Sequence, residues 1–171
     1  MDKDPGKVLI HSEQIAQTVR VLAQKLNKDY KRQTPVLVGV LNGSFIFMAD
    51  LVRQLSFAHE VQFIQVASYK DNKSTGFVGL QSDISIDVKS RDVIVVEDII
   101  DSGVTIKYLH SYFNERRAKS IKVCTLLNRC KTFKADYIGF EVTTDKFLVG
   151  YGLDLDNQFR NFPYIIECGG E

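Results

Sequence analysis

Three carboxylates crowd one end of an apolar run in "VIVVEDIIDSGVT", residues 93–105. Glu97 and Asp98 follow four aliphatic residues directly, Asp101 comes three positions later, and Ser102, Gly103, Val104 and Thr105 close the stretch. Small and hydroxylated residues ahead of a helix suit an anion, because the first turn leaves N–H groups unpaired and carries roughly half a positive charge. Gly103 lets the backbone close around the guest, and the Ser102 and Thr105 hydroxyls add donors. No GxxxxGK[ST] pattern is present, so the loop is not of the nucleoside triphosphate type, and a terminal phosphomonoester fits best. The same four residues also suit an ordinary capped helix.

Glu97 and Asp98 would repel a phosphate unless they have another task. They can accept hydrogen bonds from the vicinal hydroxyls of a sugar, or hold Mg²⁺, which prefers oxygen ligands and bridges phosphates. A ribose 5-phosphate satisfies both halves of the loop. Asp101 stands between the halves, placed to take a proton or to steady positive charge at an anomeric carbon.

Elements on either side must bring these groups together. In residues 12–30, Ile15, Val19, Leu22 and Leu26 share one helical face, with Ser12 as the expected N-cap. "VLVGVL" (36–41), "VIVV" (93–96) and "IKVCTLL" (121–127) are continuous apolar runs of strand length, expected to be buried on both faces. "FIFMADLVRQL" (45–55) and "VTIKYLHSYFNERRA" (104–118) read as helices, the second with Ile106, Leu109 and Phe113 on one face. "VQFIQVASY", "DYIGFEV" and "KFLVGYGL" read as further strands. The polar stretch between about 69 and 82 matches neither period and is expected to be a mobile loop or a hairpin tip. Strands alternating with helices predict an α/β fold, a parallel twisted sheet with helices on both faces. Ligands of such sheets bind beyond the carboxyl ends of the strands, where "LNGS", "EDIIDSGVT" and "LNRC" should converge.

Composition narrows the class. A chain of 171 residues with 44% hydrophobic and 25% charged residues fits one globular domain. The net charge of +1 offers no basic field for nucleic acid. Three cysteines without CxxC spacing predict neither a disulfide framework nor a zinc site, and Cys124 reads as a small core residue. The N-terminal stretch lacks the apolar core of a signal peptide, and no apolar run approaches the ~20 residues of a membrane span. A cytoplasmic protein without a membrane partner is expected.

The acidic stretch resembles the phosphoribosyl diphosphate (PRPP) motif of the type I phosphoribosyltransferases, and nearly the whole chain resembles their hypoxanthine-guanine branch. "PVLVGVLNGSFIFMADLVR" is similar to that branch's first loop and helix, and "VASYKDNKSTG" to its flexible loop. "DKFLVGYGLD" with a downstream arginine is similar to its purine-binding and C-terminal segments. The resemblance implies one domain over 1–171, with a parallel sheet and a small hood formed from the chain ends. It implies transfer of 5-phosphoribosyl from PRPP to N9 of a 6-oxopurine, with Mg²⁺ as cofactor and a homodimer or homotetramer as the assembly.

Carried over residue by residue, it assigns the 5-phosphate to Ser102, Gly103, Val104 and Thr105, and the ribose hydroxyls to Glu97 and Asp98. Asp101 becomes the proton acceptor facing purine N7. Leu41, Asn42, Gly43 and Arg160 meet the diphosphate, with a cis peptide between Leu41 and Asn42. Arg129, Lys146, Phe147 and Leu148 meet the purine, Phe147 by stacking. Ser68 and Tyr69 belong to the lid, and Glu97, Asp98 and Asp154 serve the metal. Arg129 stands where the family has a lysine that donates to purine O6. It should still favour a 6-oxo over a 6-amino base, but it leaves xanthine- or pyrimidine-preferring transferases open as alternatives. A regulator of the same fold that senses PRPP or nucleotides and binds RNA is a third reading, which the near-neutral charge and the intact Asp101 argue against.

Overall fold

The computed structural model describes residues 6–69 and 77–169. The chain runs β1 (Lys7–Ile10), α1 (Ser12–Asp29), β2 (Val36–Leu41), α2 (Phe45–Val52), β3 (Glu60–Tyr69), β4 (Phe77–Ser82), β5 (Asp92–Ile100), α3 (Val104–Glu115), β6 (Ser120–Asn128), β7 (Tyr137–Glu141), β8 (Phe147–Val149) and β9 (Ile165–Cys168). Six strands form one sheet in the order β4-β3-β2-β5-β6-β7, and β1-β9-β8 form a second, smaller one. All pairs from β3 to β7 are parallel, while β4 runs antiparallel along the β3 edge.

The doubly apolar strands explain the layering. Successive side chains of a strand point to opposite faces. On one face Leu37, Ile94, Val96, Cys124 and Leu126 pack with Ile15, Val19, Leu22 and Leu26 of α1 and with Phe47, Met48 and Leu51 of α2. On the other, Val36, Val38, Val40, Val93, Val95 and Val123 pack with Ile106, Leu109 and Phe113 of α3. Every residue of the two expected helical faces is buried. Burial pushes the Cys124 thiol up to about 12, as befits an inert core residue.

Four details depart from expectation. His11 rather than Ser12 is the N-cap of α1, and its N–H donates to the Gln14 side-chain oxygen at 2.9 Å. The helix after the first loop stops at Val52, and α3 stops at Glu115. Residues 77–82, expected within the loop, form β4, with Tyr69 opposite Phe77. The strand expected from "KFLVGYGL" ends at Val149, because Gly150, Tyr151 and Gly152 all take positive φ and turn the chain. The small sheet joins both chain ends to the segment that follows β7, with Lys7 opposite Glu167 and Phe147 opposite Cys168.

Candidate active site

The carboxyl ends of β2, β5 and β6 and the connection from β7 to β8 bring the expected residues to one edge of the large sheet. β5 runs as far as Ile100, so Glu97 and Asp98 still belong to a buried strand, only 6% and 9% exposed. A cavity of about 90 Å³ opens between this strand end and α3, lined by Glu97, Asp101, Ser102, Gly103 and Thr105 against Ile99, Ile100 and Ile106. Gly103 takes φ 77° at the N-cap of α3, and the Val104 N–H donates to Ser102 Oγ at 3.4 Å. The segment expected to take a phosphate thus lies at a helix start, with Glu97 and Asp101 at the same cavity.

The two adjacent acids part company. Glu97 lines the cavity, whereas Asp98 lies beneath the turn that follows β2: a Cβ added at Gly43 would sit 1.6 Å from Asp98 Oδ2. Gly43 is covered in turn by Gly152, whose added Cβ would lie 2.0 Å from the Gly43 carbonyl oxygen. Asp98 Oδ1 accepts the Ile99 N–H at 2.9 Å, and the Glu97 and Asp98 carboxyls share a hydrogen bond. Burial pushes Glu97 well above the usual carboxylate range, and the neighbouring Asp98 adds to it. Burial also raises Asp98, while bonds from Glu97 and Ile99 and the charge of Arg160 pull it back. Of the two, Glu97 is the acid pushed further toward its neutral form.

Stability should depend on pH accordingly. With its folded value raised, neutral Glu97 contributes stability below its ordinary range, and that contribution is lost as pH rises through the raised value. Glu97→Gln keeps a neutral, hydrogen-bonding side chain at every pH. Its melting midpoint should lie above the parent's at pH 8. Melting curves should converge only below about pH 4, under the ordinary carboxylate range, and equal midpoints at pH 8 would count against a raised Glu97.

Around the turn, the peptide bond between Leu41 and Asn42 is cis, as the resemblance implied. Arg160 donates through Nη1 to the Gly152 carbonyl at 2.7 Å and pairs through Nη2 with Asp154 Oδ1 at 2.7 Å, while Asp154 Oδ2 accepts the Asn157 N–H at 2.7 Å. Phe147 is 57% exposed at the start of β8, with Leu148 buried behind it. An aromatic ring that open has a face to offer a planar ligand. Lys146 pairs with Glu167 at 3.7 Å. Ser68 and Tyr69 end β3 with their backbones opposite Val78 and Phe77; the 70–76 part of the expected lid lies outside the described residues.

Arg129 is engaged differently from expectation. Its Nε donates to Asp101 Oδ1 at 3.1 Å, and its Nη1 donates to the carbonyls of Thr144 and Lys146 at 3.0 and 2.9 Å. The expected donor to the base is thus bonded to the expected proton acceptor. Two further residues stand at the site, one of them in the expected "LNGS" loop. Gly152 sits on Gly43, and Ser44 is fully buried behind the same turn with an unpartnered Oγ. The glycines of "VGYGLD" are the available signal for the first, and the second is the last residue of the "LNGS" loop expected at this end of the sheet.

Comparison with known proteins defines the class. The phosphoribosyl transferase domain matches residues 8–156, and the chain belongs to that family. Among its relatives is the hypoxanthine-guanine phosphoribosyltransferase of Bacillus subtilis, 44% identical over 170 residues that cover 96% of this chain and 94% of that one. The enzyme of the same name from Aquifex aeolicus is 41% identical over 169 residues, covering 94% of each. A crystal structure of a hypoxanthine-guanine phosphoribosyltransferase from Bacillus anthracis superposes with a TM-score of 0.91 at 38% identity, covering 97% of this chain and all of that one.

Proposed function

We propose that this chain transfers the 5-phosphoribosyl group of PRPP to N9 of hypoxanthine or guanine, giving IMP or GMP and diphosphate in purine salvage. The observation that carries the reading is the cavity in which Glu97 and Asp101 face the start of α3, in a chain 44% identical to a hypoxanthine-guanine phosphoribosyltransferase.

The residues divide the work. Ser102, Gly103, Val104 and Thr105 hold the 5-phosphate with unpaired N–H groups and hydroxyls at the α3 N-terminus. Glu97 reaches the ribose hydroxyls from the cavity wall, and Asp98 supports the turn of Leu41, Asn42 and Gly43 that meets the diphosphate together with Arg160. Phe147 stacks on the purine, and the Lys146 and Leu148 backbone meets its edge. Asp101 takes the purine proton. Departure of diphosphate leaves positive character on the anomeric carbon, which the nearby acids stabilise. Ser68 and Tyr69 lead into the lid that excludes water.

The donor set suits Mg²⁺. Glu97, Asp98 and Asp154 are hard oxygen ligands, and Mg²⁺ commonly binds one or two carboxylates plus substrate phosphates rather than an all-protein cage. Accordingly, no group of three or more ligating side chains lies together among the described residues. When bound, Mg²⁺ neutralises the leaving diphosphate.

The test is an assay with PRPP, Mg²⁺ and each of hypoxanthine, guanine, xanthine, adenine and uracil. Hypoxanthine and guanine should turn over fastest, because a guanidinium donor accepts a 6-oxo and rejects a 6-amino group. Preference for adenine or uracil would refute the reading. Neither a xanthine- or pyrimidine-preferring enzyme nor an RNA-binding regulator is favoured by relatives with these names. A homodimer or homotetramer is supported by the exposed Phe45 on α2 and by Val61 and Phe63 on β3; sedimentation as a monomer at micromolar concentration would remove it. No described helix is long and apolar enough to cross a membrane, and a cytoplasmic location accords with the unbridged thiols of Cys124 and Cys130.

A further inference from the structure

Arg129 joins the ends of β5 and β6 to the connection between β7 and β8. Its own N–H donates to the Ile100 carbonyl at 2.8 Å, which fixes the end of β6 to the end of β5. Its Nε then holds Asp101 Oδ1, and both hydrogens of Nη1 are directed to Thr144 and Lys146, the latter just ahead of Phe147. The Arg129 side chain is only 18% exposed, whereas the Asp101 side chain is 66% exposed and stands largely in solvent apart from this bond. A planar fork of five donors can serve a carboxylate at one nitrogen and two carbonyls at another. A lysine ammonium gathers three donors on one atom and cannot stand in both places. Among the described residues Nη2 has no acceptor, so two donors remain for a ligand.

We propose that Arg129 is a positioning residue, pinning the proton acceptor Asp101 and the Phe147 segment in a fixed relation, in addition to presenting Nη2 to the 6-oxo group of the base. One oxygen of Asp101 is held so that the other meets the purine nitrogen, and the two carbonyl bonds keep the 144–146 connection from carrying Phe147 away. This rests on the proposed transferase reading, because only a purine held between these groups makes their relative placement matter.

Arg129→Lys separates the two roles. It keeps a cation able to donate to a 6-oxo group but cannot pin both loops. With hypoxanthine, the variant should stay active, with KM for the base raised about tenfold and kcat lowered about tenfold, while KM for PRPP stays within about twofold. Amide exchange by mass spectrometry should quicken over residues 142–149 and remain unchanged in α1. Arg129→Met, which removes donation and pinning together, should lose more than Arg129→Lys for the base and equally little for PRPP. If Arg129→Lys matches the parent in both base kinetics and exchange, the pinning role is overturned and Arg129 is a donor alone. Equal losses in base and PRPP kinetics would also overturn it, by pointing to general disorder. A parent enzyme inactive on hypoxanthine and guanine would instead sink the underlying function.

Discussion

Replacing Asp101 by Asn should lower kcat by about 10²–10³-fold, within the usual range for removing a general base, while the affinity for PRPP changes by less than about threefold. The carboxylate is mostly exposed at the mouth of the cavity and is tied to Arg129 through one oxygen. Asparagine has the same shape, and its amide oxygen can keep the Arg129 bond. It cannot accept a proton. The loss should therefore fall on the chemical step, equal to about 2.7–4 kcal/mol of barrier, and not on the phosphate contacts proposed at Ser102 to Thr105. Single-turnover kinetics with saturating PRPP and hypoxanthine, paired with calorimetric titration of PRPP, would separate the two. An unchanged rate would assign proton removal to another group.

The second large effect is expected at Gly43. This glycine is not among the residues of positive φ, so alanine meets no backbone objection there. Space alone forbids it: the new methyl would fall 1.6 Å from Asp98 Oδ2 and 2.4 Å from its Cγ. Asp98 is short, buried and held by Glu97 and by the Ile99 N–H, so it cannot swing aside freely. Nor can the turn lift, because the Gly43 carbonyl is already in close contact with Gly152. Gly43→Ala should cost roughly 2–3 kcal/mol of stability, in the range of overpacked sites, and lower kcat/KM for PRPP by about 100-fold or more. Thermal melts and initial rates over a PRPP series check both. A variant with ordinary PRPP kinetics would show that the acid and the turn proposed to meet the diphosphate work independently.

The parts of this site that are legible in the sequence are the local ones. Glu97, Asp98, Asp101 and the Ser102–Thr105 start of α3 are contiguous, so residue type and order suffice to place acids beside an anion-binding helix. The doubly buried β2, β5 and β6 announce themselves as unbroken aliphatic runs, and the faces of α1 and α3 by their spacing. What escapes depends on contacts between distant residues. Neither the Gly152–Gly43–Asp98 stack nor the hold of Arg129 on residues 144 and 146 has a local signature. The short strands β1, β4 and β9 are likewise defined by their partners more than by their own four to six residues. The start of α1 differs from expectation for the opposite reason: Ser12 is a good cap by type, yet the reciprocal reach of Gln14 to His11 moves the boundary by one residue.

The small sheet, the hood expected from the resemblance, joins the first and last strands of the fold to β8. β9 lies between β1 and β8, so the strand that begins with Phe147 is braced by a ribbon whose other members are the first and last of the fold. An affinity tag fused at either end, or a protease that trims one, therefore acts on the wall against which the base would lie, and not on a distant corner of the surface. Tagged and untagged preparations of this enzyme should be compared for base affinity before either is taken as the reference.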